Sequence, residues 1–456
     1  MFSVSAPSFD AREPEFRAVV LALPEDGMDL LAERDNTSHA LLPIANRPML
    51  WYVLQWLEQG GILDIKIITT RESETDIASY IEVYRGMASI SVKGLADVCG
   101  SADALRQVAP LIKSSVVVVP SDLVVDVPAT HFFDLIRVKR PAAAAMLCEP
   151  MQSEGGGGSA RAQHAPLCVG VDQPSSRLVL LQDLDERHED LVLPMSLVRR
   201  FPSMALSDKM QDTHMYVFQR WVLDYLVANP DISSLEDDLL PLLVRAQSQP
   251  HLLESKGIAR HIPAPAAGSA SALLDPPAQD DPPAAADDDC DRDSDPLTVF
   301  AYVRRGGIVG RANQVASYCD LNSVVSRMST GPRTDDSARL AQQTQVGADS
   351  MVGASSQLGE RCSVKRSVVG AHCVIGREVK IVNSVIMDHV TIGDGVRLES
   401  CVVCRLASIG AGAQLKACEV GPGVSVPAGA SFKSVPVTED DSGMLFDDGG
   451  LQTEFA

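Results

Sequence analysis

The sequence predicts two folded parts, an α/β domain followed by a parallel β-helix of hexapeptide repeats. Three observations support this prediction. Residues 16–250 alternate short apolar runs with helical patterns, residues 251–345 become rich in Pro, Ala and Asp, and an aliphatic residue recurs about every six positions from residue 346 onward. Strands alternating with helices indicate a mostly parallel sheet covered on both faces. A six-residue period is typical of a parallel β-helix.

The α/β prediction begins with short runs rich in β-branched and small apolar residues. These runs are FRAVVLAL, DIKIITT, SSVVVVPSD, AAAAMLCEP, LCVGV and RLVLLQDL. A first helix is predicted after Pro48 and ends at Gly60. Its apolar face consists of Leu50, Val53, Leu54 and Leu57. A second helix, capped by Ser101, is predicted to bury Leu105, Val108, Leu111 and Ile112. Ligands of such sheets bind at the carboxyl ends of the strands.

The β-helix prediction rests on an aliphatic repeat that keeps its register over residues 346–432. The repeated positions are Val346, Val352, Leu358, Val364, Val369, Ile375, Ile381, Ile386, Ile392, Leu398, Val403, Ile409, Leu415, Val420 and Val426. Three repeats form one coil, so the stretch predicts about four to five coils. His372 and His389 fall inside the repeat, and we expect them in solvent-facing turns. A histidine that serves as the general base of a hexapeptide acyltransferase is the alternative.

The negative charge of the chain is concentrated in two segments outside the predicted domains. The formal net charge is −21, and residues 275–296 together with the last twenty residues carry −14 of it. We therefore predict a disordered N-terminus over 1–15, a mostly disordered linker over 251–345 and an acidic tail over 433–456. Phe446 and Phe455 give the tail a second interpretation, a docking peptide. The acidic balance argues against direct nucleic-acid binding.

Targeting and redox signals are weak in this sequence. The N-terminus lacks a basic region followed by an apolar core, which argues against a signal peptide. No apolar run approaches the roughly 18 residues of a membrane helix. Ten scattered cysteines favour reduced thiols in the cytosol. Cys401 and Cys404 form an isolated CxxC, which predicts neither a metal nor a redox site.

The order of the two parts resembles the sugar-nucleotide pyrophosphorylase superfamily. That resemblance implies a nucleotidyltransferase-like (Rossmann-like) domain and a left-handed β-helix. VVVVPSDLVVD places Asp122 where the superfamily has a metal-binding aspartate, and CGSADALR resembles its glycine-Ser/Thr-Ala loop, with Ser101 opening a helix and Asp103 in its first turn. Gly27 is the one glycine of the loop after the first strand. The resemblance thus implies a nucleotide and metal pocket built from these four residues.

Groups that phosphate chemistry requires are missing from this pocket. The loop after the first strand carries Glu25, Asp26 and Asp29, and acidic side chains repel a triphosphate. His39 or Ala40 occupies the position of the superfamily's lysine. We therefore predict a vestigial pocket with no catalytic residue, metal or cofactor. A functional metal ligand at Asp122 is the alternative to a retained residue at a strand end.

A narrower resemblance fits these departures. ALLPIANRPMLWYVLQWLEQGG, CGSADALRQVAPLI, VVVVPSDLVVDVP and HMYVFQRWVLDYL closely resemble the gamma-subunit family of eukaryotic translation initiation factor 2B. This implies a non-catalytic subunit of a cytosolic guanine-nucleotide exchange complex. The implied partners are the epsilon subunit, the alpha, beta and delta subunits of a larger assembly, and initiation factor 2 itself. About thirty residues follow the last hexapeptide position, too few for the exchange domain of epsilon.

A further alternative belongs to a different class of protein. A sugar-nucleotide pyrophosphorylase, such as a mannose-1-phosphate guanylyltransferase, would share both parts, either as an active enzyme or as a regulatory homologue. It would need a loop that cradles phosphates and a basic residue before Leu41, and the sequence is poor in both, with Arg34 as the only possible basic substitute.

Overall fold

The computed structural model describes residues 14–24, 27–28, 31, 37–96, 100–149, 167–183, 193–263, 295, 297–329 and 331–438. The predicted acidic tail lies outside these ranges beyond residue 438, and so do residues 264–294 of the predicted linker and nearly all of the predicted N-terminal segment. In the part of the chain that is described, no helix is long and apolar enough to cross a membrane.

The first domain contains nine α-helices and fourteen strands among its described residues. Its strands are β1 (Phe16–Ala22), β2 (Pro43–Ile44), β3 (Arg47–Pro48), β4 (Asp64–Thr70), β5 (Ser89–Leu95), β6 (Ser115–Pro120), β7 (Leu123–Val125), β8 (Ala143–Cys148), β9 (Leu167–Asp172), β10 (Leu178–Asp183), β11 (Met204–Ser207), β12 (Gln211–Phe218), β13 (Val299–Arg304) and β14 (Val309–Arg311). Its helices are α1 (Met49–Gln59), α2 (Glu74–Val83), α3 (Ser101–Val108), α4 (Ala129–Lys139), α5 (Met195–Arg200), α6 (Arg220–Ala228), α7 (Leu240–Ser248), α8 (Pro250–Ser255) and α9 (Val315–Met328).

A seven-stranded sheet in the order β13-β8-β12-β6-β1-β4-β5 forms the centre of this domain. β12 is antiparallel to both of its neighbours, and the other pairs in the sheet are parallel. In β6, Val116 and Val118 pack with α3, α6 and α7, whereas Val117 and Val119 pack with α1 and α4. Side chains alternate across a strand, so a continuous apolar run is buried on both faces. The predicted α/β architecture is confirmed.

Both predicted helices form, with one error at the second. Leu50, Val53, Leu54 and Leu57 of α1 are all buried, and Gly60 caps the helix. The second helix ends at Val108 and continues as a 3₁₀ helix over Ala109–Leu111, which contains Pro110. This tighter turn changes the periodicity, so Leu111 is 54% exposed rather than buried as predicted.

The predicted linker over 251–345 is wrong for most of its described residues. β13 adds a parallel strand to the edge of the central sheet beside β8. β14 pairs with β7, and α9 follows it. The Pro, Ala and Asp composition of the neighbouring residues obscured the run LTVFAYV, which is as rich in β-branched and aromatic residues as the strands that were predicted. The first domain therefore reaches α9, well beyond residue 250.

The second domain is a stack of short parallel strands in three six-stranded sheets. The first sheet contains β15 (Arg339–Leu340), β18 (Gln357–Leu358), β21 (Val374–Ile375), β24 (Thr391–Ile392), β27 (Ser408–Ile409) and β30 (Ser425–Val426). The second contains β16 (Gln345–Val346), β19 (Ser363–Lys365), β22 (Lys380–Val382), β25 (Arg397–Glu399), β28 (Gln414–Lys416) and β31 (Ser431–Lys433). The third contains β17 (Met351–Val352), β20 (Val368–Val369), β23 (Val385–Ile386), β26 (Val402–Val403), β29 (Glu419–Val420) and β32 (Pro436–Val437).

The predicted repeat forms the interior of this β-helix. All its aliphatic positions after Val346 are buried, and Val346 is half-buried. Neighbouring strands pair in register at a separation of about one coil, as Ile381 does with Leu398. The stack has six coils and extends from Arg339 to Val437, so the prediction of four to five coils over 346–432 was too short. His372 and His389 lie in exposed turns and stack at 5.0 Å, which confirms their predicted position.

The two domains share an apolar interface organised by α9. Tyr318 and Leu321 of α9 are buried together with Leu42 of the first domain and with Val385 and Val402 of the third β-helix sheet. Polar contacts reinforce this interface, since Asn46 Nδ2 donates to the carbonyl oxygen of Val369 at 3.0 Å. The segment predicted as linker therefore fixes the β-helix against the α/β domain.

Candidate functional site

The four predicted pocket residues lie beyond the carboxyl ends of parallel strands in the central sheet. Gly27 follows β1, Asp122 follows β6, and Ser101 and Asp103 open α3 after β5. β1, β6 and β5 run in the same direction, so their carboxyl ends meet at one edge of the sheet. This edge is where an open α/β sheet binds its ligands.

Asp122 is paired with an arginine from the segment predicted as linker. The Arg311 guanidinium lies 3.1 Å from Asp122 Oδ2, and both side chains are almost fully buried. The backbone fixes the same contact, because the Ala312 amide donates to the Asp122 carbonyl oxygen at 3.0 Å. A guanidinium provides the positive charge that a buried carboxylate requires. The Arg311 guanidinium thus lies beside the carboxylate for which the resemblance implies a metal ion.

His39 lies beside this ion pair but adds no charge to it. Burial lowers the pKa of His39 below its ordinary value of 6.5, and the neighbouring Arg311 lowers it further, whereas Asp122 raises it. Because burial is the largest of these effects, the imidazole is neutral at pH 7. The position of the superfamily's lysine therefore carries no positive charge here.

Gly27 contacts the same segment that carries Arg311. Its φ of +109° lies in the region that favours glycine, and a Cβ added there would come within 3.2 Å of the Asn313 carbonyl oxygen. Most residues of this loop between 25 and 36 lie outside the described ranges. The segment from Arg311 to Asn313 therefore contacts two of the four predicted pocket residues.

The opening of α3 is occupied by a different part of the chain. The Ser101 hydroxyl donates to Glu236 Oε2 at 3.0 Å and accepts from the Leu235 amide at 2.9 Å. The first turn of the helix is also engaged, because the Ala102 amide donates to the Ser233 carbonyl oxygen at 3.0 Å. A Cβ on Gly100 would overlap that same oxygen. Gly100, not Ser101, is the capping residue of this helix, which corrects the predicted cap.

Asp103 is linked through Arg106 to the neighbouring loop. It forms an ion pair with Arg106 one turn further along α3. The Arg106 guanidinium also donates to the carbonyl oxygens of Ile232 at 2.7 Å and Asn229 at 3.1 Å. These bonds hold the loop after α6 against the opening of α3. Asp103 and Ser101 thus both hold a loop of the same chain.

A buried acid that the sequence reasoning missed lies near Arg311 and Glu236. Burial raises the pKa of Asp212 to about 6, and hydrogen bonds from Tyr216 and His214 oppose the rise. The Tyr216 hydroxyl donates to Asp212 Oδ2 at 2.6 Å, and the His214 amide donates to Oδ1 at 2.9 Å. An isolated Asp in a strand gives no sequence signal for this environment. Arg311 was missed for the same reason.

Metal ligands and clefts were compared with the position of this edge. Across the described ranges, no group of three or more His, Cys, Asp or Glu side chains could hold a metal ion. A cleft of about 990 Å³ lies elsewhere, between the α/β domain and the β-helix, where Tyr52, Met328 and Arg405 line it. The predicted pocket residues do not line that cleft.

Comparisons with known proteins identify both domains. The family described as nucleotidyl transferase matches residues 35–156, and the family described as EIF2B subunit epsilon LbH domain matches residues 333–432. The eIF2B subunit gamma of Schizosaccharomyces pombe is 32% identical over 355 residues, which cover 77% of this chain and 74% of the relative. The chain belongs to the eIF2B subunit gamma family. The predicted nucleotidyltransferase-like domain and left-handed β-helix are therefore confirmed.

Other members of the eIF2B gamma family agree with this assignment. The subunit of Dictyostelium discoideum is 27% identical over 389 residues, covering 78% of this chain and 87% of the relative. The subunit of Caenorhabditis elegans is 27% identical over 222 residues, which cover 47% of this chain and 54% of the relative. The relatives do not favour the pyrophosphorylase alternative. The β-helix match begins at residue 333, which agrees with the six coils of the structure rather than with the predicted start at residue 346.

Proposed function

We propose that this chain is a non-catalytic subunit of the translation initiation factor 2B complex, in which it pairs with the epsilon subunit and supports exchange of GDP for GTP on initiation factor 2. The alpha, beta and delta subunits would complete the assembly, and the cytosol would be its compartment. Membership of the gamma family supports the place in the complex. The contacts of Asp122 and Ser101 support the proposal that the chain does not catalyse nucleotidyl transfer.

The buried pair of Asp122 and Arg311 is the observation that carries the non-catalytic part of the proposal. Both side chains are almost fully buried, and the guanidinium lies 3.1 Å from the carboxylate. A divalent ion at Asp122 would have to displace a charged group held by β14, and this would leave the arginine buried without a partner. Mg²⁺ gives up its own water reluctantly and prefers sites with open oxygen ligands. The pair therefore disfavours metal-assisted phosphoryl chemistry.

The opening of α3 supports the same conclusion for the base-binding loop. Amides at a helix N-terminus bind anions when they are free to do so. Here the Ala102 amide is bonded to the Ser233 carbonyl oxygen, and Ser101 is bonded to Leu235 and Glu236. Glu236 also places a carboxylate beside the loop, which repels phosphate.

Reconstitution with purified subunits tests the role in exchange. Release of labelled GDP from initiation factor 2 would be followed with the epsilon subunit alone and with epsilon plus this chain. We expect the pair to release GDP faster than epsilon alone, and this chain alone to have no effect. The proposal fails if the chain neither binds epsilon nor changes the rate of release.

A separate assay tests nucleotidyl transfer. The chain would be incubated with GTP, mannose-1-phosphate and Mg²⁺, and released pyrophosphate would be measured. We expect no release above that of the Asp122→Asn variant, which retains the shape of the site without its negative charge. Turnover that disappears in this variant would show an active enzyme and would contradict the non-catalytic assignment.

A further inference from the structure

The three faces of the β-helix differ in chemistry, and one of them is basic. The third sheet presents Val368, Val385 and Val402 outward, and α9 packs near them. The first sheet presents mainly small or neutral residues, with Arg339 as its one charged outward residue among the described strands. The second sheet presents five cations and one acid, all exposed. These cations, here called the basic face, are Lys365, Lys380, Arg397, Lys416 and Lys433.

Most cations of the basic face have no ionic partner among the described residues. Lys416 Nζ lies 3.2 Å from Glu399 Oε2, the one acid of this sheet. No ion pair involves the other four cations among the described residues. The strand register places Lys380 directly beside Arg397 and Lys416 directly beside Lys433. Adjacent strands lie about 4.8 Å apart, so these are close like-charge neighbours, which destabilise a sheet unless an anion covers them.

A basic face is unusual in a chain of this composition. The whole chain carries −21, and the acids that outweigh the cations concentrate in two segments that lie almost entirely outside the described residues. One of them begins directly after the last coil. Residues 437–456 contain six acids and no Lys or Arg, and the first three acids are Glu439, Asp440 and Asp441. Lys433 lies only six residues before Glu439.

We propose that the basic face is the docking site of the chain's own acidic segment, residues 439–456. The charges are complementary, and covalent attachment at Thr438 gives the segment a high effective concentration at the face. Lys380 lies three coils from Lys433, which is about 14 Å at the spacing of adjacent strands. An extended chain spans up to about 3.3 Å per residue, so eighteen residues are long enough to reach.

This contact would give the acidic segment a role beyond raising the solubility of the chain. Exposed clusters of Lys and Arg bind polyanions such as RNA without specificity. A tethered acidic segment would compete with these polyanions for the face. The charges and the chain connectivity behind this contact do not depend on the proposed role in nucleotide exchange.

Zero-length carbodiimide cross-linking of the full chain tests the contact. The reagent joins a lysine amine to a carboxyl group in direct contact, and peptide mass spectrometry locates the link. In about 20 mM salt we expect links from Lys380 and Lys433 to residues 439–456, and their loss near 1 M salt, where screening is nearly complete. A mixture of ¹⁴N- and ¹⁵N-labelled chains separates links within one chain from links between two chains.

Paired variants give the test its control. Lys380→Gln with Arg397→Gln should lower the yield of links between Lys433 and the segment about fivefold, since two ion pairs contribute roughly 1 kcal/mol. Lys113→Gln with Arg339→Gln, two exposed cations off the basic face, should leave that yield unchanged. Equal yields in both variants, links spread evenly over the lysines, or links mainly between two chains would each overturn the proposal.

A second measurement follows from competition with polyanions. Replacing the six acids by Asn and Gln should strengthen binding of a 20-nucleotide poly-uridylate probe about fivefold or more at low salt, because the face is then uncovered. Adding Lys380→Gln and Arg397→Gln to that variant should abolish the gain. An unchanged affinity after neutralisation of the acids would contradict the proposal.

Discussion

The carboxyl edge of the α/β domain and the interior of the β-helix are stabilised in opposite ways. At the edge, unlike groups meet from distant parts of the chain, as Arg311 does with Asp122 across 189 residues. In the β-helix, like groups meet at a fixed separation, as the Ser367 and Ser384 hydroxyls each accept from an amide 17 residues further along. A periodic structure repeats the same contact in every coil, whereas the edge depends on individual pairs of side chains that occur once. We therefore expect different consequences when each is altered.

The largest expected effect is at the edge. Arg311→Met would leave the Asp122 carboxylate buried without its cation, and we expect the free energy of unfolding to fall by about 4 kcal/mol. Urea denaturation followed by circular dichroism measures the change. Arg305→Met is the control, because this exposed arginine lies 3.8 Å from Glu149 and should change stability by less than about 0.5 kcal/mol. Equal changes in the two variants would show that the buried pair contributes no more to the free energy of unfolding than an exposed ion pair does.

The second effect compares an inward-facing with an outward-facing residue of the β-helix. Ile375 and Val374 are neighbours in β21, one 3% and the other 48% exposed. We expect Ile375→Ala to cost about 3 kcal/mol, because it leaves a cavity among stacked coils. Val374→Ala should cost less than about 0.5 kcal/mol. Similar losses in thermal unfolding would show that the outward residue is covered.

The third effect is a pH dependence at Asp212. Its pKa is about 6 in the folded protein and about 3.8 when exposed, so the folded state holds this proton more tightly. The resulting stability is complete below about pH 3.8 and is lost as the pH rises through 6.

Asp212→Asn removes this titration in both states. We therefore expect the variant to gain about 2 kcal/mol relative to the native sequence between pH 4 and 7. Chemical denaturation at a series of pH values measures the difference, with Asp224→Asn as the exposed control. A difference that does not change with pH would mean that the pKa of Asp212 in the fold lies close to its ordinary value of 3.8.

The smallest effect concerns the interface between the two domains. The Tyr318 hydroxyl of α9 donates to the Pro43 carbonyl oxygen at 2.6 Å. Tyr318→Phe keeps the ring and loses this bond, so we expect a loss of about 1 kcal/mol in unfolding free energy. Tyr302→Phe is a suitable control, since its ring packs against Phe132 and its hydroxyl has no hydrogen bond to the described residues. A greater loss for Tyr302→Phe would contradict the importance of this bond.

The sequence by itself determined the order of the two domains and the interior of the β-helix. A strand that is apolar on both faces can only be buried in a covered sheet, and this fixes the role of β6 without further information. Likewise, an aliphatic residue at every sixth position can bury its side chain only if the chain coils at that period. Both patterns are local, so the sequence contains them in full.

Only the tertiary structure decided which groups meet at the edge. The sequence located Asp122 and Ser101 but gave no sign that Arg311 and Glu236 would contact them, because each pair joins residues more than 130 positions apart. The composition around residues 264–294 even predicted that the Arg311 segment would be a linker. Residues of this kind are brought together by sheet order and loop packing, which no local pattern contains. For this reason the fold could be predicted from the sequence, whereas the contacts of Arg311 with Asp122 and of Glu236 with Ser101 could not.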